Sequence, residues 1–212
     1  MDSTVARIEV AQPKLFTMGA VVAVTAYGLL LCAPIFMSML VVSVMKYGIL
    51  TVLIPLLVLV ATAYFLPFGL GNTHVTRLVQ SLCPAAGKSG DGFIVQLTLS
   101  PRIRSGLRAI LEDADDIGYL SFSGHDLLYQ GDSVKLSVPL DCIQQVQAAN
   151  IGLRGLFVYG RRVRIVISGL PQVESVEFAE RSSWFLPASR AITRKLYSRL
   201  SAKVPAMEGK KP

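Results

Sequence analysis

From Phe16 to Leu70 the chain carries a single charge, Lys46, and every other residue is apolar, small or mildly polar. A helix rises about 1.5 Å per residue and needs roughly 20 apolar residues to cross a hydrocarbon core. The stretch is too long for one crossing and right for two. It predicts a membrane α-helical hairpin over 16–70, with spans at about 17–44 and 49–69. Lys46-Tyr47-Gly48 marks the turn, because a lysine at a helix centre costs about 2.5–3.5 kcal/mol on insertion scales, whereas at a turn its ammonium reaches water. Pro34 and Pro55 fall inside the spans, where neighbouring helices satisfy the freed carbonyls. Arg7 and Lys14 precede the hairpin and Arg77 and Lys88 follow it. By the positive-inside rule both termini are expected in the cytoplasm, with the chain a two-span protein of the cell inner membrane. A cleaved signal peptide fits less well: the apolar run continues past a signal core, and Leu31 stands before Cys32 where a lipoprotein box needs a small residue.

The mean hydropathy of +0.51 over 212 residues conceals a sharp division. Residues 1–15 read as a short polar tail, 71–92 as a juxtamembrane helix to about Leu82 and then a linker, 93–203 as a folded domain, and 204–212 as a disordered tail. The net charge is +7, and 18 Lys/Arg against 12 Asp/Glu fall in residues 71–212. Arg154, Arg161, Arg162 and Arg164 cluster, as do Arg190, Arg194, Lys195 and Arg199. Such clusters fit either attraction to anionic lipid headgroups or a solvated cytoplasmic face, where Lys and Arg collect anyway. Cys32, Cys83 and Cys142 form no paired spacing, which argues against a disulfide framework or a zinc site and fits reduced thiols.

Beyond Gly92 the hydrophobic period changes to two. Phe93, Val95, Leu97 and Leu99 share one face while Ile94, Gln96, Thr98 and Ser100 take the other, predicting a half-buried strand that Pro101 stops. Ile103, Leu107, Ile110 and Leu111 fit a short helix or turn over 102–114. Short strands are predicted over 118–122, 127–130, 134–140, 156–159, 163–168 and 173–179. Ser123-Gly124-His125-Asp126, Gly131-Asp132-Ser133, Gly160-Arg161 and Gly169-Leu170-Pro171 supply turns among them. A helix follows from about Pro187 to Ala202, with an apolar stripe at Ala188, Ile192, Leu196 and Leu200. Trp184 and Phe185, just before it, could plug an open barrel end.

About seven short strands closed by one amphipathic helix is a layout that resembles bacterial pleckstrin-homology-like domains and the related GRAM domains. The likeness lies in Ile117-Gly118-Tyr119-Leu120, then Leu127-Leu128-Tyr129-Gln130-Gly131-Asp132, then the strand Val134 to Leu140 leading into Asp141-Cys142-Ile143. The last strand to Phe178, the Trp184 region and the final helix complete it, over about half the chain. The resemblance implies an antiparallel β-barrel or sandwich closed by the C-terminal helix, and a binding or scaffolding module rather than an enzyme. The phosphoinositide site of eukaryotic members is a basic cluster on the first hairpin. Here that hairpin carries the acidic Glu112-Asp113-Ala114-Asp115-Asp116, so that site is not carried over.

Catalytic and cofactor motifs fail on spacing. Ala86-Gly87-Lys88-Ser89 ends like a phosphate-binding loop, but Leu82 stands where the first glycine is needed. The acidic run does not fit a calcium loop, since Ile117 and Gly124 occupy ligand positions, and it reads as a surface charge cluster. His74 and His125 are the only histidines, and neither has the neighbours of a hydrolytic triad. No catalytic residue, metal ligand or cofactor is expected. The binding candidates are Arg154, Arg161, Arg162, Arg164, Arg190, Arg194 and Lys195, with Arg162 and Arg164 placed together on a wet strand face. The partners expected are the lipid bilayer and its anionic headgroups, a protein partner or a second copy, and no nucleic acid. An accessory subunit of a larger membrane complex is the alternative, and a membrane enzyme, which would need a polar constellation not found in the sequence, is the less favoured third.

Overall fold

The computed structural model describes residues 5–11, 33–46, 53, 55–57, 69–84, 92–101, 114–149, 162–170, 172–184 and 186–204, with backbone alone for 69–71 and 186. Eight strands form one curled antiparallel sheet: β1 (Arg7–Val10), β2 (Phe93–Ser100), β3 (Asp116–Ser123), β4 (Asp126–Gly131), β5 (Val134–Pro139), β6 (Ile143–Ala149), β7 (Arg162–Ile167) and β8 (Ser175–Glu180). Their spatial order is β1-β5-β4-β3-β2-β8-β7-β6. Helix α1 (Gly69–Leu82) precedes β2, and helix α2 (Leu186–Lys203) ends the described chain.

Alternation builds the core. Val95, Leu97, Leu120, Leu127, Ile165 and Phe178 project from successive strands into the concave face, and Leu196 and Leu200 of α2 join them. Burying a side chain of this size contributes roughly 1.5–3 kcal/mol. The hairpin turns follow the sequence signals: Gly124 takes a left-handed φ of +60° between β3 and β4, a conformation that favours glycine.

Several expectations are corrected here. Among the described residues no helix is long and apolar enough to cross a membrane. Residues 33–46 are helical. The second expected span falls almost wholly outside the described residues. The two-span hairpin, and with it the inner-membrane placement, therefore gives way to a curled eight-stranded sheet. The helical residues 33–46 do expose apolar side chains, including Ile35 at 65% and Met45 at 84%.

The sheet also differs from the expected seven strands. Residues 7–10, read as polar tail, form the edge strand β1 and pair with β5 from Arg7–Ser137 to Val10–Val134. Strand β2 is not half-buried but buried on both faces along its length to Leu99. The reason is a second cluster, in which Val75, Val79 and Cys83 at the α1 side cover Ile94, Ile117 and Tyr119 on the convex face. Asn72 of α1 fixes the helix by donating to the Ser183 carbonyl at 2.6 Å and accepting from Arg181 at 3.4 Å. Strand β6 follows a single 3-10 turn, Leu140–Cys142, where the sequence showed only a connecting stretch. Trp184 is 46% exposed and plugs nothing. The expected elements at 102–113 and 156–159 lie outside the described residues.

Candidate functional site

Helix α2 is a cationic rod laid on the apolar concave face. Its sequence LPASRAITRKLYSRLSAK contains Arg190, Arg194, Lys195, Arg199 and Lys203 and no acidic residue. The buried stripe runs through Ser189, Thr193, Leu196 and Leu200, all at most 8% exposed. Of the expected stripe, Leu196 and Leu200 are fully buried and Ile192 packs against the core, while Ala188 is exposed, because a strict four-residue spacing winds around a helix of 3.6 residues per turn. Thr193 tolerates burial since its hydroxyl donates to the Ser189 backbone carbonyl at 2.9 Å. With that stripe inward, Arg194 points away from the sheet and Lys195 and Arg199 line one flank. Arg194 and Lys195 are exposed, while Arg190 is half-buried.

Two further cations anchor the helix end on the rim. The Arg199 guanidinium lies 5.6 Å from the Phe93 ring centroid, and the Lys203 ammonium 5.4 Å from that of Phe122. Such contacts contribute about 0.5–1 kcal/mol each at exposed sites while leaving charge toward water. Lys203 belongs to this surface, one residue past the expected helix end at Ala202. Its signal was the four-residue spacing from Lys195 through Arg199.

The other predicted cluster does not join this surface. Val163 and Ile165 of β7 face the core with α2, so Arg162 and Arg164 lie on the opposite face of the sheet. Arg162 is not wet: it is 2% exposed, and its Nη1 reaches Glu177 Oε2 at 3.3 Å and Thr98 Oγ1 at 3.4 Å. Arg164 is 45% exposed and also donates to Glu177, through Nε at 2.7 Å and through Nη2. One carboxylate thus neutralises much of both guanidinium charges, across the β7–β8 register that places Arg164 opposite Glu177. Arg154 and Arg161 lie outside the described residues.

The acidic run is likewise structural where it is described. Asp115 and Asp116 are 2% and 0% exposed rather than on the surface. Asp115 accepts from the Leu99 amide at 2.8 Å. Asp116 accepts from the Ser133 and Val134 amides at 3.1 and 2.8 Å, which ties the β4–β5 turn to the start of β3. Burial pushes the Asp116 carboxyl up to about 6 in spite of those amides, which pull it down. The buried Tyr129 phenol beside it is raised well above 10, first by burial and then by the Asp116 charge. Gly131 passes so close that a Cβ there would stand 1.9 Å from Asp116 Oδ2. Among the described residues no group of three His, Cys, Asp or Glu side chains could hold a metal ion. Nor does the Asp116–Tyr129 pair reach solvent.

A groove of about 990 Å³ opens beside β1, lined by Ile8, Val10, Leu99, Ile167, Leu170 and Val173 among others. No protein-family model matches the sequence, and comparison with curated proteins finds no match.

Proposed function

We propose that the chain is a non-catalytic binding module whose C-terminal helix contacts an anionic surface, with acidic lipid headgroups as the best-fitting chemistry. The observation that carries this reading is the run of five cations without an acid on α2, three of them, Arg194, Lys195 and Lys203, exposed to solvent. A surface of one sign attracts anionic headgroups over about a Debye length and contributes about 1 kcal/mol per Lys or Arg near the bilayer. The resemblance to pleckstrin-homology-like domains is part of the proposal. It is supported by the order β5-β4-β3-β2-β8-β7-β6 followed by a helix on the concave face. The contact surface is now α2 alone, since Arg162 and Arg164 are engaged by Glu177 on the other face. Co-sedimentation of the full chain with vesicles tests it. Binding should rise on replacing neutral with acidic lipid, and Arg194→Glu with Lys195→Glu should abolish that rise. Equal binding of the double variant would refute the assignment.

The exposed apolar side chains of residues 33–46 favour a second role, as an accessory subunit docked on a protein partner. A patch of that kind marks an interaction site more often than a solvated face. A photocrosslinker at Met45 in cells should then yield one dominant heterologous product, and a diffuse smear would count against it.

A further inference from the structure

Strand β1 is the least integrated part of the sheet. Residues 11–92 separate it from the next strand, and it pairs over four residues only. Ala6 is buried and Ile8 packs on the core, yet Val5 and Val10 are 52% and 54% exposed. The ladder closes with the Ala11 amide donating to the Ser133 carbonyl at 2.7 Å. Without β1 the other seven strands keep every one of their mutual pairings, and β5 becomes an open edge. An open edge is a template for another strand. The chain's own segment fits it in detail: Ala6, Ile8 and Val10 alternate toward the concave side, and Glu9 stands opposite Lys135.

We propose that residues 5–11 are an exchangeable strand that completes the β5 edge of a second copy of this chain, giving a strand-swapped dimer. A second copy is the occupant because it presents the one segment whose register and charge are seen to match this edge. Exchange in both directions satisfies both edges through the same contacts, so each bond broken in one copy is remade in the other. The long connection favours it as well. The advantage of pairing within one chain falls as the intervening segment lengthens, while reach to a neighbour grows.

The test uses full-length chains carrying Cys32→Ser, Cys83→Ser and Cys142→Ser, one with Glu9→Cys and the other with Lys135→Cys, since Cys83 lines the same groove as both positions. Mixed and oxidised together, they can form the β1–β5 cross-strand disulfide only between copies. A covalent heterodimer that grows with protein concentration and is lost with Ile8→Asp is the expected result. A chain bearing both cysteines should close partly within itself and partly as a dimer. Closure within one chain at every concentration, with no heterodimer in the mixture, would overturn the exchange. So would the absence of any disulfide, or a Glu9→Cys chain that dimerises with itself as readily as with its mate.

Discussion

Asp116 is wholly buried on the concave side of β3, and its carboxyl is raised from 3.8 to about 6, chiefly by burial. In the unfolded chain it returns to the ordinary value. Between about pH 4 and 6 the native state therefore holds a proton that the unfolded state releases, and stability falls as pH rises through that window. At about 1.36 kcal/mol per pH unit, the difference amounts to about 3 kcal/mol between pH 4 and pH 7. For a chain of this size that is a melting shift of roughly 6–12 °C, with the higher value at acid pH. Asp116→Asn keeps one acceptor oxygen for the Ser133 and Val134 amides, which in the wild type use Oδ1 and Oδ2 separately, and turns an NH2 group toward the other, at a pH-independent cost; it cannot ionise. Urea unfolding at closely spaced pH values should show the wild-type chain losing about 3 kcal/mol across the window through this group, and the variant losing little of it. A variant that tracks the wild type at every pH would refute the reasoning, because the slope would then belong to other groups.

Four further outcomes follow from the same geometry. Glu177→Ala leaves Arg162 buried without its carboxylate and should cost about 3–5 kcal/mol, whereas Arg164→Ala, at a half-exposed site, should cost at most about 1 kcal/mol in the same urea assay. Gly131→Ala drives a Cβ into the Asp116 carboxylate and within 2.8 Å of the Tyr129 ring, so a loss of about 2 kcal/mol or more is expected. Gly124→Ala meets open space and bears only the left-handed backbone, about 1 kcal/mol by thermal melting. Because the Tyr129 phenol is raised well above 10, it should stay protonated as pH climbs past the unfolded value, with stability falling there; its phenolate absorbance should appear only with unfolding and be missing in Tyr129→Phe.

Strands whose one face is strongly apolar could be read from alternation alone. Phe93–Ser100, Val134–Pro139 and Arg162–Ile167 each carry branched or aromatic residues at every second position, and their turns carry the glycines such turns need. Edge strands escaped. β6, IQQVQAA, buries only Ile143 fully and shifts register between Ile143 and Gln145, so its pattern is too weak to score. β1 did carry a period of two in Ala6, Ile8 and Val10, but four residues before a long apolar run look like a polar leader. The apolar run itself carried the strongest pattern and the largest correction. Hydropathy reports only that side chains avoid water, and among the described residues no helix is long and apolar enough to cross a membrane.

The candidate site was partly legible. A helix with five cations and no acid is plain in the sequence, and Arg190, Arg194 and Lys195 sit on it as expected. Arg162 could not be placed, because alternation assigns a face but not what lies over that face, and the convex side of β2 and β8 is covered. For the same reason Asp115 and Asp116 read as surface charges. Their amide partners, Leu99, Ser133 and Val134, come from other strands, and no local spacing encodes them.

The central claim is that α2 meets an anionic partner. The most direct test is a titration of isotope-labelled full-length protein with glycerol phosphate, a soluble headgroup analogue, followed by amide chemical shifts. The account predicts shifts concentrated in residues 190–203 and lost in the Arg194→Glu, Lys195→Glu variant. Shifts of equal size in that variant, or none along the helix, would contradict it.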